Sequence, residues 1–263
     1  GLGDVYKRQN KTLTKKKKIY FASDFHLGIP NNEESRKREL KITSWLDSIK
    51  HDAKEIYLVG DIFDFWFEYK YTIPKGCIRF LGKIGELVDN GVIVHFFTGN
   101  HDMWMFNYLK DEFNITIHRE PILKEINGKT FLIGHGDGLG PGDRKYKFVK
   151  RFFSNKICQW LFARLHSNFS FSIAHYWSKK SREKEMLGEL SFLGEDKEWL
   201  IIYAKEKLKE NNIDYFIFGH RHLPLEINLP KKSKYVNLGD WINYNSYASV
   251  SYTHLTLPTS RSV

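Results

Sequence analysis

The sequence predicts an α/β fold, and three observations lead to this prediction. Short apolar runs of β-forming residues alternate with segments of helical periodicity, as in buried sheets covered by helices. Five of the runs end, through small or polar residues, at an Asp, Asn or His. A basic, aromatic stretch at about residues 145–209 interrupts the strand pattern, so we expect a helical cap inserted over a site; a pair of ordinary core helices is the alternative.

Each predicted strand is a short buried run that ends at a turn. In chain order, the predicted strands are Ile19–Ala22, Ile56–Val59, Val92–Phe97, Thr130–Ile133, Tyr215–Phe218 and Tyr235–Leu238. Helices are predicted at Ser35–Lys50, which carries apolar residues at helical spacing, and at Cys77–Val88. Residues 1–9 and 249–263 resemble translated sequencing adapters and are expected to be non-native, which leaves residues 10–248 as a single domain.

The composition is that of a folded protein with anionic partners. The 263 residues are 41% hydrophobic and 16% aromatic, which excludes a wholly disordered chain. The net charge of +10 favours phosphates, nucleic acid or acidic lipid surfaces. Cys77 and Cys158 lie far apart without metal-ligand spacing, so we expect reduced thiols in a cytosolic protein. No run of about 18 apolar residues is present that would span a membrane.

Polar blocks follow five of the predicted strands. They are Asp24-x-His26, Gly60-Asp61, Gly99-Asn100-His101-Asp102, Gly134-His135-Gly136-Asp137 and Gly219-His220-Arg221-His222. Taken singly, such an Asp is more typical of a turn, and such a His of a core or surface position. Ligands of layered α/β folds gather beyond the carboxyl ends of the strands, so we expect one site drawn from five loops. Together the blocks supply the ligands that two divalent cations need.

Two cations impose specific requirements on these residues. Cations about 3.5–4 Å apart clamp a phosphoryl group and lower the pKa of a water between them. Holding both charges close needs an anionic bridge, for which Asp61 is the natural residue. Asn100 adds an oxygen ligand without charge, and mixed nitrogen and oxygen ligands suit Mn²⁺, Fe²⁺ or Zn²⁺ better than Ca²⁺. His101 would act as a general acid or as a cation that stabilises the transition state.

The five blocks, in this order, resemble the calcineurin-like metallophosphoesterase superfamily. The resemblance implies two packed mixed sheets flanked by helices. It also implies catalytic roles for His101 and Asn100. The first metal would be bound by Asp24, His26, Asp61 and His222, and the second by Asp61, Asn100, His135 and His220.

A narrower resemblance covers nearly the whole chain between its adapter-like ends. The stretches DFHLG, GDIFDFW, GNHD, GHGDGLGPGDRKYK, GHRHLP and NLGDW are similar to UDP-2,3-diacylglucosamine hydrolases of lipid A biosynthesis, most of all to those of Bacteroidetes-type bacteria. This family has a helical cap and usually uses Mn²⁺. It hydrolyses a pyrophosphate to UMP and 2,3-diacylglucosamine 1-phosphate, at the cytoplasmic face of the inner membrane as a peripheral enzyme. Asp143 and Tyr146 match positions that contact the head group of the UDP-linked lipid.

Other functions remain open at this point. In the best-studied branch of the family an Arg follows the Asn of the third block, whereas this chain has His101, which leaves room for another phosphodiester substrate. A nucleotide phosphodiesterase or nuclease with the same metal centre is therefore the alternative. An apolar cap suits an acylated ligand better than nucleic acid. Its Trp160, Leu161, Phe162, Phe169 and Phe171 are candidates to line acyl grooves, although core packing is the more typical role for each of them singly. A catalytically dead scaffold would have lost ligands, yet all seven ligand positions are filled here.

Overall fold

The computed structural model describes residues 18–141, 144–188, 191–251 and 255–256. The alternation of side chains along β1 (Lys18–Ala22) shows how the layers form. Ile19 and Phe21 lie in a core shared by two sheets, whereas Tyr20 and Ala22 pack with helices on the other face. Because both faces of this strand are apolar, each must be covered by another layer. The result is two mixed sheets packed against each other with helices outside, which confirms the predicted α/β fold class.

Among the described residues, the first sheet has six strands in the order β11–β10–β1–β2–β3–β4. Its other strands are β2 (Ala53–Val59), β3 (Ile93–Phe97), β4 (Thr116–His118), β10 (Ala248–Val250) and β11 (Leu255–Thr256). Strands β1 to β4 are parallel, and β10 pairs antiparallel with β1. Helices α1 (Asn32–Ile49), α2 (Ile78–Asp89) and α3 (Tyr108–Phe113) supply buried side chains to the core on the outer face of this sheet.

The second sheet has five strands in the order β5–β6–β7–β9–β8. They are β5 (Ile122–Ile126), β6 (Lys129–Gly134), β7 (Tyr215–Phe218), β8 (Pro224–Asn228) and β9 (Lys234–Leu238), with a short 3₁₀ turn at Pro230–Lys232. Helix α7 (Trp199–Glu210) packs its buried Leu200, Ile201 and Leu208 on this sheet. Helix α7 falls within the range predicted for the cap, but its packing is that of a core helix.

In the part of the chain that the structure describes, three helices lie between β6 and α7 and are called here the cap helices. They are α4 (Arg144–Phe153), α5 (Lys156–Phe162) and α6 (Ser167–Gly188). A buried aromatic cluster of Phe67, Trp104 and Phe162 joins them to the core. The indole N–H of Trp104 also donates a hydrogen bond to the carbonyl of Phe153 at 2.7 Å. The cap helices are therefore anchored beside the loops that follow β2 and β3.

Candidate metal centre

The loops after β1, β2, β3, β6 and β7 come together at the carboxyl ends of the parallel strands. The structure brings together there all seven residues predicted as metal ligands: Asp24, His26, Asp61, Asn100, His135, His220 and His222. Among the residues that the structure describes, three overlapping groups can be distinguished, each with its potential ligand atoms within 4.8 Å of one another. The first and second contain the predicted ligands, and the third joins His26 to Asp64 and His101. Asp61 is the one residue common to the first and second groups, which is the place that the sequence predicts for a bridging carboxylate.

The first group contains two buried carboxylates and two imidazoles. The Nε2 atoms of His26 and His222 lie 3.1 Å apart. The Oδ1 atom of Asp24 is 3.2 Å from Nε2 of His222. None of the described residues hydrogen-bonds to the buried Nδ1 of His26, which lies 3.8 Å from Oδ1 of Asp64. Ring nitrogens and carboxylate oxygens that converge in this way fit a divalent cation of the Mn²⁺, Fe²⁺ or Zn²⁺ type.

The second group is organised around His135. Its Nε2 lies 3.2 Å from Oδ2 of Asp61 and 3.3 Å from Oδ1 of Asn100. The other ring nitrogen, Nδ1, donates to the main-chain carbonyl of Val59 at 2.9 Å. This bond occupies Nδ1, so Nε2 is the ring nitrogen that faces Asp61 and Asn100. Although burial would lower it, the charge of Asp61 holds the pKa of His135 well above its usual value, and a cation would bind Nε2 in place of the proton there. The residues present therefore fit a second cation beside the first.

The backbone of the centre is held in an uncommon conformation. Asp24, His26, Asp61, His220 and His222 all have positive φ angles, between 44° and 68°. Residues other than glycine rarely adopt positive φ angles, because this backbone conformation costs on the order of 1 kcal/mol for each residue. At Gly60, which also has a positive φ, an added Cβ would lie only 2.5 Å from Nδ1 of His135. The surrounding fold therefore holds these loops in a strained conformation, and this conformation sets the directions of the ligand side chains.

Electrostatic interactions within the centre oppose the effect of burial. Burial alone would raise the pKa of Asp61, but the charges of His135 and His101 outweigh it and hold that pKa well below its usual value. Burial would lower the pKa of His222, yet its hydrogen bond to Asp24 and the charge of Asp24 raise it to about 9. A bound cation replaces such protons, so metal binding at this centre is expected to depend on pH.

His101 and Asp102 tie the loop after β3 to the loop after β2. The main-chain N–H of His101 donates to Oδ1 of Asp61 at 2.8 Å, and its ring Nδ1 donates to the carbonyl of Asp64 at 3.0 Å. Asp102 accepts hydrogen bonds from the main-chain N–H of Gly99 at 2.7 Å and of Ile62 at 2.9 Å. Burial and the charge of Asp61 raise the pKa of Asp102 to about 7. Asp102 therefore shapes the loop, while His101 lies at the edge of the centre.

A cavity of about 440 Å³ borders the centre on the side of the cap helices. Its polar lining includes Asp64, Asn100, His101, Tyr146, Lys150 and Ser178, and its apolar lining includes Trp104, Phe153, Phe162, Ala174 and Trp177. Of the residues predicted to line acyl grooves, Phe162 lines this cavity. Trp160, Leu161 and Phe169 are each more than half exposed instead, because they lie on the solvent side of the cap.

The predicted head-group contacts have different outcomes. Tyr146 lines the cavity, and its hydroxyl donates to Oδ2 of Asp137 at 2.7 Å. Asp143 lies outside the residues that the structure describes. Sequence reasoning missed Asp64 and Ser178. The sequence pattern could have identified Asp64, since it stands in the GDIFDFW stretch three residues after Asp61. No sequence pattern marks Ser178.

Comparison with known proteins agrees with this geometry. The model of the calcineurin-like phosphoesterase family matches residues 17–224. The chain therefore belongs to the calcineurin-like phosphoesterase family, a class of hydrolases. More particularly, it is 41% identical over 252 residues to the UDP-2,3-diacylglucosamine hydrolase of Porphyromonas gingivalis, covering 91% of this chain and 96% of that protein.

More distant relatives match over a similar length. The UDP-2,3-diacylglucosamine hydrolase of Actinobacillus succinogenes is 27% identical, over 85% of this chain and 92% of that protein. Among solved structures, the E. coli phosphoesterase Yfce aligns with 91% of each chain, with a TM-score of 0.41 and 15% identity.

Proposed function

We propose that this chain hydrolyses the pyrophosphate of UDP-2,3-diacylglucosamine to UMP and 2,3-diacylglucosamine 1-phosphate, as a step of lipid A biosynthesis. The observation that carries the proposal is the 440 Å³ cavity, which runs from Asn100 and His101 into apolar walls supplied largely by the cap helices. Its size lies within the range of ligand sites, roughly 300–1,000 Å³. A ligand with a charged phosphate end and an apolar acyl end would match the polar end and the apolar walls of this cavity. The names of the relatives support the same substrate.

The metal centre supplies the chemistry at the polar end. Two divalent cations, with Mn²⁺ as the expected metal, would polarise the phosphate and lower the pKa of the attacking water. Asp61 would be shared between the two cations, and Asn100 would orient a phosphate oxygen. His101 would stabilise the charge that develops on the phosphoryl oxygens or protonate the leaving group. Lys150 lines the same cavity, where its ammonium group is paired with the buried Asp137 at 2.7 Å.

The outer surface of the cap supports peripheral binding to an anionic membrane at the cytoplasmic face of the inner membrane. Its apolar side chains are each more than half exposed: Phe148, Phe152, Ile157, Trp160, Leu161 and Phe169. Lys147, Arg151, Lys156 and Arg164 lie on the same segment and would meet acidic lipid head groups. In the described part of the chain, no helix is both long and apolar enough to cross a bilayer.

A turnover assay tests the substrate. The protein is given Mn²⁺ and either UDP-2,3-diacylglucosamine or bis(p-nitrophenyl) phosphate, and release of UMP or nitrophenol is followed. Trp177→Ala, in the cavity wall, should raise KM for the lipid without changing turnover of the small ester. Tyr176→Ala is the matched control, because Tyr176 is 63% exposed. Faster turnover of the small ester than of the lipid would instead indicate another phosphodiesterase.

A vesicle assay tests membrane binding separately. Co-sedimentation with phosphatidylglycerol vesicles should be weakened by Phe148→Asp, which places a negative charge on the exposed face of α4. Leu40→Asp is the control, because Leu40 is 48% exposed on α1 of the core. Equal binding by both variants would argue against the cap as the membrane-facing surface.

A further inference from the structure

We propose that Ser178, on cap helix α6, is a positioning residue for His101. The proposal rests on the proposed function in so far as His101 takes part in hydrolysis. Ser178 is 8% exposed, although it lies on a helix whose solvent side is polar and aromatic. Its hydroxyl donates to Oδ2 of Asp64 at 2.8 Å, and its oxygen lies 3.2 Å from Nδ1 of His101. One buried hydroxyl thus contacts both residues.

These contacts fix the tautomer of His101. Its Nδ1 lies 3.0 Å from the main-chain carbonyl of Asp64, and a carbonyl oxygen can only accept a hydrogen bond. Nδ1 therefore carries the proton. Ser178, whose own proton is directed to the Asp64 carboxylate, presents a lone pair to that same N–H. Nε2 is then the ring nitrogen that would donate to a phosphate oxygen, as the second N–H of the His101 cation.

Ser178 also fixes the Asp64 carboxylate between two histidines. Oδ1 of Asp64 lies 3.8 Å from Nδ1 of His26 and 3.8 Å from Nδ1 of His101. With Oδ2 held by Ser178, this carboxylate cannot rotate without losing a buried hydrogen bond. The orientation of His101 therefore depends on a residue of the cap as well as on the core. Hydrolysis should require a docked α6 even for a substrate that has no acyl chain.

Kinetics on the small ester bis(p-nitrophenyl) phosphate test this dependence. Ser178→Ala should lower kcat about three- to tenfold, the effect of one lost hydrogen bond, and leave KM unchanged. Ser178→Thr, which keeps the hydroxyl, should recover most of the rate. Ser172→Ala is the matched control, since the Ser172 hydroxyl donates to Asn168 on an exposed part of the same helix. In a His101→Ala background, Ser178→Ala should cause no further loss.

The ring nitrogens of His101 give a second readout that needs neither substrate nor metal. In protein labelled with ¹⁵N-histidine, the His101 signals are assigned by their loss in His101→Ala. The Nδ1–H proton of His101 should exchange with water faster in Ser178→Ala and at the original rate in Ser172→Ala. The proposal would be overturned if Ser178→Ala left the His101 signals unchanged. It would also be overturned if Ser178→Ala lowered kcat equally in wild type and in His101→Ala. A wrong substrate assignment would show itself differently, as absent lipid turnover with these His101 effects intact.

Discussion

Replacing Phe162 by Ala removes the ring that joins cap helix α5 to the core. The Phe162 ring lies 4.6 Å from the ring of Trp104 and 4.8 Å from that of Phe67, measured between centroids. Its side chain is 8% exposed. Truncation of a buried Phe costs about 3–5 kcal/mol. We expect the lower value, about 3 kcal/mol, because the ring also borders the cavity and water can enter the space that it leaves.

The loss should appear first as local opening of the cap. About 3 kcal/mol corresponds to a roughly 150-fold larger opening constant, which hydrogen exchange of peptides from the cap helices would measure. Peptides from β2 and β7 should keep their protection. Leu161→Ala is the control: Leu161 is 55% exposed, so its truncation should change the free energy by less than about 1 kcal/mol. Equal exchange in the two variants would refute the anchoring role of Phe162.

Three further substitutions test the centre and the core. Asp61→Asn should lower turnover by more than about 10³-fold and reduce the Mn²⁺ bound per chain, because the proposed bridge loses its charge; full activity would exclude a shared ligand. His101→Ala should lower kcat by about 10²-fold or more with bound metal unchanged, and metal loss would make His101 a ligand instead. Oε2 of Glu55 accepts a hydrogen bond from the Tyr57 hydroxyl at 2.8 Å and lies 3.6 Å from Nε2 of His95. The interaction with His95 first, and then that with Tyr57, outweigh burial and lower the pKa of Glu55 to about 2. The stability that Glu55 contributes is thus full above about pH 4.5 and is lost as the pH falls towards 2. The urea midpoints of wild type and Glu55→Gln should therefore converge between pH 7 and pH 3, and a constant difference would contradict this.

The strands that carry the site could be predicted because their sequences are unambiguous. All six predicted strands and both predicted helices are present, with ends shifted by at most three residues. Each such strand is buried on both faces, so it forms a continuous apolar run that stops where the chain reaches the polar edge. Edge strands such as β5 (ILKEI) and β8 (PLEIN) were missed, because charged residues interrupt their alternation.

The site was predictable where its residues follow directly on the strands. Asp61 and His135 stand just after the carboxyl ends of β2 and β6, where ligands of layered α/β folds gather. Ser178 meets Asp64 across 114 residues of chain, and no local pattern encodes such a contact. The position of α7 was ambiguous for a related reason. An apolar stripe containing Leu200 and Ala204 shows that one helix face is buried, but not which surface covers it.

The left-handed backbone at the ligand positions changes how substitutions there should be interpreted. At Asp24 and Asp61, with φ of 55° and 52°, Asn removes the charge and still tolerates the local conformation. Ala at the same positions adds backbone strain to the loss of the ligand, and a β-branched residue adds more. A series of Ala variants would therefore overstate what each side chain contributes to metal binding. Comparing Asn with Gly, which needs no Cβ in this region, separates the contribution of the ligand from that of the loop.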